Sequence, residues 1–590
     1  MKRKYINSIL VGCALCAFSA CTDVWDEHYQ ANKPIPGQES ADKNLWELIS
    51  ADQDLEEFAA LLQATGYHEL LMQNRCYTVW APADGSGFID VTLLENASKE
   101  EIESYKKRIV ENHIANFNHA ASGIRDKEDR KNYEMIEMLN TKKYDFEGKK
   151  AGEYTFDGLD LQQENIVAKN GVLHKLDGYV SFAANIWETL GDEGLRTDEL
   201  GISELWNFLK KDFKSEFNPT ASVQGPVVDG QVTWLDSSFT ESCRWFGEIG
   251  WLDREDSSYT MYALTNRAWG EMYEMTKKYY AYPFGMKTLP AKGSMTAEQA
   301  TDSIVKDLMV RNLVFSNTVN KKFFDGVKDT LISNYRYGYQ IFENEEAHAL
   351  SNGLVGEPFE LSNGSLYIVD EVNYNPMSIW HDTLRVEGEF LSDADETRVG
   401  FKSVNKTMHI IHRDSLYHDS FSSHGVGVFE AFAGQYNPEF HFYVDNVLSA
   451  YYDIKLVLVP AKVIEPYDST LFIKPNKFAA RLYYNDGLSS KNVELRTEAG
   501  DSIFFSDPTK IDTIVLAKNF FVPVCEFDLK GLSGSMPQTR VFIESKIEFG
   551  SNRNPKENNG NDRDSTKWMY DNHFRIDQLI FEPVVDPTVE

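Results

Sequence analysis

Cysteine, positive charge and long apolar runs are all scarce in this chain of 590 residues. Of six cysteines, only Cys76, Cys243 and Cys525 lie beyond residue 21, an odd and scattered set. That excludes a disulfide framework and a CxxC metal centre in the body of the chain. Lys and Arg number 59 against 91 Asp and Glu, a net charge of −32. An acidic surface of that size repels phosphate backbones, which argues against nucleic acid as a partner. No run of about 18 apolar residues offers a transmembrane helix. GxSxG, HExxH, the P-loop and a strand-flanked GxGxxG are all missing, so no familiar catalytic signature, cofactor site or metal site is expected. Carboxylate pairs for glycoside hydrolysis cannot be singled out among 91 acids. What is present is material for packing: 42% hydrophobic and 13% aromatic residues. At roughly 100–200 residues per unit, the chain has room for about three to five domains.

The N-terminus reads as an address. Lys2, Arg3 and Lys4 precede a short apolar stretch, Ile6 to Phe18, and small residues lead to Cys21. Residues 1–20 are expected to be a signal peptide, too short to span a membrane. FSAC, Phe18 to Cys21, resembles a bacterial lipobox, which implies lipid attachment at Cys21 and anchorage in the outer membrane. LVGC, Leu10 to Cys13, matches that pattern too, but leaves too short an apolar stretch. The acidic run after Cys21, with Asp23, Asp26 and Glu27, resembles the export signal of surface lipoproteins of Bacteroidota. Residues 21–42 read as a lipidated acidic tether facing the cell exterior.

Two motifs recur in order. YTVWAPADGSGF (Tyr77 to Phe88) returns as YTMYALTNRAW (Tyr259 to Trp269), and NGVLHKLDGYV (Asn170 to Val180) returns as NGSLYIVDEVN (Asn363 to Asn373). Each first motif predicts a strand, and each Asn-Gly predicts a tight hairpin turn into another. Helical spacing and Gly66 as a cap precede the first copy. These residues resemble the fasciclin-like domain, which implies one such domain over 43–186 and another over 187–376. Asn112-His113 stands where the family often has the Tyr-His associated with adhesion, and Asn312-Leu313 stands there in the second copy, so that role is not carried over. His113 and His174 read as structural.

The second copy has a Trp-rich lead-in with a hairpin around Asp229-Gly230. Trp234, Trp245 and Trp251 there, and Trp380 further on, are candidate ligand-binding residues. They could stack on sugar rings, meet a partner protein, or pack between the domains. From about residue 377 period-two strand candidates predict an antiparallel β-sandwich over 377–590, jelly-roll-like. The fold class is α+β. His409, His412, His418 and His424 cluster, but strand geometry does not make them converge on a metal. The polar loop Ser551 to Thr566 could bind calcium.

Asp followed by Ser or Thr and then a small or aliphatic residue resembles a Bacteroidota O-glycosylation acceptor. It marks Ser303, Thr330, Thr383, Ser415, Ser469, Ser502, Thr513 and Ser565. The other reading is that Asp-Ser/Thr simply begins strands. The whole resembles tandem-fasciclin lipoproteins found beside Sus-type nutrient transporters. That implies a non-enzymatic accessory binding polysaccharide or a transporter partner. Cell or matrix adhesion is the alternative, and an unrecognised glycan hydrolase in the sandwich a further one.

Overall fold

The computed structural model describes residues 38–586 except 122–132, 151–152, 197–200, 221, 229–230, 237–238, 284–294, 374–380, 389–398, 403–404, 411–426, 434–435, 465–472, 530–537, 552–555 and 560–567. The signal peptide, Cys21 and most of the tether lie outside the described residues, as does most of the polar loop at 551–566.

In the first region, helices Leu45–Ile49, Glu56–Ala64 and Tyr67–Leu71 lead into strand Tyr77–Pro82. Asn44 starts the first helix through a capping box. Its Oδ1 accepts from Glu47 N, and the Glu47 carboxylate accepts from Asn44 N, both at 2.8 Å. Phe58, Leu61 and Leu62 face a core of their own. Strand Tyr77–Pro82 is buried along its whole length. It pairs antiparallel with Ile114–Asn116 and parallel with Gly171–Leu176, second from one edge of a seven-stranded sheet.

The second region repeats this arrangement. Strand Tyr259–Leu264 pairs antiparallel with Val314–Ser316 and parallel with Gly364–Val369. The parallel registers correspond, Tyr77 opposite Gly171 and Tyr259 opposite Gly364. One side chain organises each copy. Asn170 Nδ2 donates to the Leu71 and Gln73 carbonyls at 2.7 and 2.8 Å, and its Oδ1 accepts from Leu45 N at 2.9 Å. Asn363 does the same with Leu252, Arg254 and Ile186 at 2.8, 3.1 and 2.9 Å. Ile186 begins helix Ile186–Leu190, capped by Asn185 and Glu188 as Asn44 and Glu47 cap the first. Ring stacking is also matched: Trp80 on His174 at 5.5 Å, Tyr262 on Tyr367 at 5.4 Å.

The expected turn needs correcting. Ala168 pairs with Gly171, so the turn residues are Lys169 and Asn170, and Gly171 opens the strand. Glycine is required there because the neighbouring strand passes too close. A Cβ on Gly171 would lie 2.0 Å from the Tyr77 carbonyl oxygen, and one on Gly364 1.8 Å from that of Tyr259.

The regions are joined by buried contacts. Lys142 is 1% exposed, and its ammonium reaches Glu188 at 2.8 Å and Glu255 at 2.6 Å in the second region. Lys107 also pairs with Glu188 at 2.8 Å. Burial raises the Glu188 carboxyl, but Lys107 and Lys142 outweigh it and hold the pKa below its usual range. Two antiparallel hairpins, Val223–Val228 with Gln231–Asp236 and Phe213–Phe217 with Phe239–Cys243, extend the second region.

The third region has two antiparallel sheets. One runs Asn405–Ile410, Gly427–Phe432, His573–Val584, Ala450–Leu458, Asp512–Val522, with Leu384–Glu387 also on His573–Val584. The other runs Val399–Lys402, Glu439–Tyr443, Arg540–Ser545, Lys477–Asn485, Ser490–Glu494, with Phe504–Phe505 on Lys477–Asn485. Phe574 of the first sheet lies 5.4 Å from Phe440 and 5.8 Å from Phe478 of the second, so their inner faces share one core. Tyr279 and Ala281 carbonyls accept from Ser449 and Cys525 amides at 2.8 and 3.0 Å, linking this region to the second.

Close approach and backbone conformation can be separated by mutation. Gly158 has φ +78° with open space around its Cβ position. Gly158→Ala should cost ~1–2 kcal/mol, the strain of a left-handed residue. Gly171→Ala should cost about 1–3 kcal/mol more, because the neighbouring backbone must move. Equal losses in the denaturation midpoint would remove the close-approach argument.

Candidate ligand-binding surface

The predicted tryptophans do not form one surface. Trp245 is fully buried on helix Arg244–Glu248, 5.5 Å from Phe208. It fills the core of the second region and is corrected from ligand-binding candidate to packing residue. Trp251 is 38% exposed, but the Arg254 guanidinium covers one face at 3.7 Å. Trp234 is half-buried and meets Phe217 edge-on at 5.0 Å on the hairpin pair. Trp380 lies outside the described residues. Among the glycosylation candidates, Ser303 is exposed on helix Ala297–Arg311 and Thr513 is exposed on an edge strand. Thr330, Thr383 and Ser502 are half-buried, while Ser415, Ser469 and Ser565 lie outside the described residues. Ser303 borders a groove of about 790 Å³ with Phe208, Trp269, Tyr273 and Lys306. His409 sits on strand Asn405–Ile410; His412, His418 and His424 lie outside the described residues. Among the described residues, no group of three or more His, Cys, Asp or Glu side chains is arranged to hold a metal.

A different surface gathers aromatics. In the second sheet of the third region, Phe440, Phe442, Ala480, Leu482, Val541 and Ile543 are fully buried. With side chains alternating along each strand, His441, Tyr443, Arg481, Tyr483, Arg540 and Phe542 must face outward. Cross-strand register places Tyr443, Arg540 and Tyr483 in one row, and His441, Phe542 and Arg481 in the next. The Arg540 guanidinium carbon lies 4.5 Å from the Tyr483 ring centroid, 5.3 Å from Phe542 and 5.4 Å from Tyr443. Its Nη1 donates to the Tyr443 hydroxyl at 3.2 Å. The His441 ring is 5.0 Å from Phe542 and 5.1 Å from Tyr443. Burial, reinforced by the Arg540 cation, pushes the His441 pKa down to about 4. His441 is therefore neutral near pH 7, and Arg540 carries the charge of this cluster. The signal that could have found it is three strands, EFHFY, RVFIES and RLYYN, with aromatics at their outward positions.

Residues 53–180 match the fasciclin domain model. This part of the chain is a fasciclin domain. Among solved structures, a domain pair from the insect cell adhesion molecule fasciclin I is 9% identical, with a TM-score of 0.20, covering 55% of this chain and 98% of its own. An insecticidal crystal protein is 11% identical over 37% of this chain and 24% of its own, TM-score 0.14. A Paenibacillus xanthan lyase is 7% identical over 43% and 21%, TM-score 0.17. No curated protein matches the chain.

Within the fasciclin domain, both motif histidines are fully buried and bonded at each ring nitrogen. His113 Nδ1–H donates to the Ile109 carbonyl at 2.7 Å, and Nε2 accepts from Val180 N at 3.0 Å. His174 Nε2–H donates to the His119 carbonyl at 3.0 Å, and Nδ1 accepts from Asn165 N at 3.4 Å. An imidazolium cannot accept those amides. Burial pushes both pKa values down to about 4. The unfolded chain takes up these protons near 6.5, the folded domain only near 4. Stability is therefore complete above pH 6.5, falls as pH drops to 4, and levels below. The expected loss is roughly 3 kcal/mol per histidine. Protection factors of amides in residues 53–180 of the whole chain, corrected for the pH dependence of intrinsic exchange, should fall over that window, and less so in His174→Gln. Protection factors unchanged from pH 6.5 to 4 would exclude buried neutral imidazoles.

Proposed function

We propose that this chain is a lipid-anchored outer-membrane protein that binds polysaccharide at the cell exterior, as a non-enzymatic accessory to a Sus-type nutrient transporter. In this reading residues 187–376 are a second, diverged fasciclin-like domain, which the matched strand registers and the parallel roles of Asn170 and Asn363 support. Residues 377–590 are a jelly-roll-like β-sandwich, supported by its two facing antiparallel sheets. The observation that carries the function is the outward cluster of Tyr443, Tyr483, Phe542 and His441 around Arg540. Sugar rings present apolar C–H faces that stack on such rings, and flat side chains lose little entropy on binding. Tyr483→Ala should weaken polysaccharide retention in affinity electrophoresis by about tenfold, ~1.4 kcal/mol, with an unchanged melting midpoint. Retention equal to wild type in both Tyr483→Ala and Phe542→Ala would remove this face as the site.

Lipid anchorage rests on Cys21 as the attachment point. Among the described residues no helix is long and apolar enough to cross a membrane. Cys21→Ala should move the protein from the detergent phase to the aqueous phase. A mutant that still partitions into detergent would end the lipoprotein reading. The second reading is adhesion, favoured by the fasciclin domain at 53–180, since such domains are associated with adhesion. Cell-to-surface attachment that survives loss of the aromatic cluster would favour it.

A further inference from the structure

We infer that the saccharide taken by this face is acidic, with a sugar carboxylate anchored on Arg540; the inference rests on the glycan-binding reading of the same cluster. Its neighbours on the sheet have acids of their own. Arg481 pairs with Glu544 at 3.6 Å, Lys546 with Glu544 at 2.8 Å, and Lys477 with Glu557. Arg540 has no carboxylate within ion-pair distance among the described residues, in a chain with 91 acids. Its Nε is sealed from solvent without a hydrogen-bond partner, and its one bonded partner among the described residues is the Tyr443 hydroxyl.

Three aromatic rings close around the guanidinium and strip part of its water. Cation–π attraction compensates only part of that loss. A partly desolvated cation gains more from an incoming anion than one in bulk water does. The planar guanidinium matches a carboxylate in geometry, and the flanking rings offer faces to the sugar carrying it. A neutral sugar would use the rings but leave the cation uncompensated.

The surrounding charge narrows the ligand further. Glu439 and Glu544 lie together one row beyond His441 and Phe542 on the same outward face. They and the net charge of −32 oppose a densely charged polyanion. The fit is to a chain whose carboxylate falls on a sugar ring stacked beside Arg540, as in a uronic acid, rather than to a sulfated or phosphorylated polymer.

The test uses the detergent-solubilised full chain in affinity electrophoresis. Hyaluronan, gellan and glucuronoxylan, whose uronic acids are spaced by uncharged sugars, are each compared with their carboxyl-reduced forms, alongside neutral galactan and β-glucan. The expected result is at least tenfold stronger retention by one acidic polymer than by its reduced form. Arg540→Gln should abolish that difference, and Arg540→Lys should restore part of it. Melting of both variants checks that the sheet is intact. Equal retention by native and reduced polymers, or an unchanged preference in Arg540→Gln, would overturn the acidic ligand while leaving glycan binding standing. Retention by none of the polymers, acidic or neutral, would overturn the glycan reading and this inference with it.

Discussion

A single side-chain amide sets the geometry on which each of the first two regions is built. Asn170 receives the first amide of helix Leu45–Ile49 and donates to the Leu71 and Gln73 carbonyls at the end of helix Tyr67–Leu71. Its own carbonyl accepts from Tyr77 N, which starts strand Tyr77–Pro82. Helix, crossover and strand therefore meet at one residue. Without the amide, the Leu45 N–H and the Leu71 and Gln73 carbonyls would lose a partner in or beside the core, at about 1–3 kcal/mol for each group left unsatisfied. The following glycine is fixed by the same meeting point, since the Tyr77 carbonyl occupies the space a side chain would need. Asn363 and Gly364 repeat the arrangement against Ile186 and Tyr259. The sequence pair Asn-Gly thus marks a junction of three segments, of which the turn is only one.

The regions are then held to one another by groups already committed within them. Glu188 closes the capping box of Asn185 and also accepts from Lys142 and Lys107 of the first region. A buried ion cluster of this kind is a weak source of net stability, because desolvation offsets the Coulomb gain. It is geometrically demanding, however, since separation would leave the Lys142 ammonium without its carboxylates. Toward the third region the link is backbone bonding at Tyr279 and Ala281, the Tyr282 hydroxyl donating to the Phe527 carbonyl at 2.6 Å, and a continuous apolar cluster. The outward sheet face is supported from behind by that cluster.

Legibility in the sequence followed how local the physics was. The motif strands were readable because burial on both faces and an Asn-Gly junction leave a compact signature. The period-two stretches at 383–390, 452–460, 478–487, 513–517, 540–549 and 574–583 each overlap an observed strand, because their inward residues alternate with others. A third shared element escaped: NLWELI, Asn44 to Ile49, and NIWETL, Asn185 to Leu190, share the capping box and its Trp. Helices of five residues are too short to show a 3.6-residue period, and the hairpin pair between Phe213 and Cys243 separates the second from its strand. A single helical turn does not reveal its inward side from sequence, so ligand binding and packing both stay open for Trp245 until its burial decides for packing. The aromatic face was missed because EFHFY carries aromatics on both sides of the strand, which masks the alternation.

That double-sided pattern is also the reason to assign the outward rings a role beyond folding. The inward set, from Phe440 and Phe442 to Val541 and Ile543, is fully buried and already supplies the core between the sheets. In the fasciclin domain, by contrast, Trp80 has Phe156 stacked at 4.4 Å and His174 at 5.5 Å, so that ring is spent on packing. Tyr443, Tyr483 and Phe542 stand on the far side of their sheet from the shared core, grouped around a cation rather than an apolar partner. Polar residues would serve an outward sheet face equally well for folding and better for solubility. Rings grouped around an arginine that pairs with no acid among the described residues do not serve solubility, and that is the ground of the glycan-binding proposal.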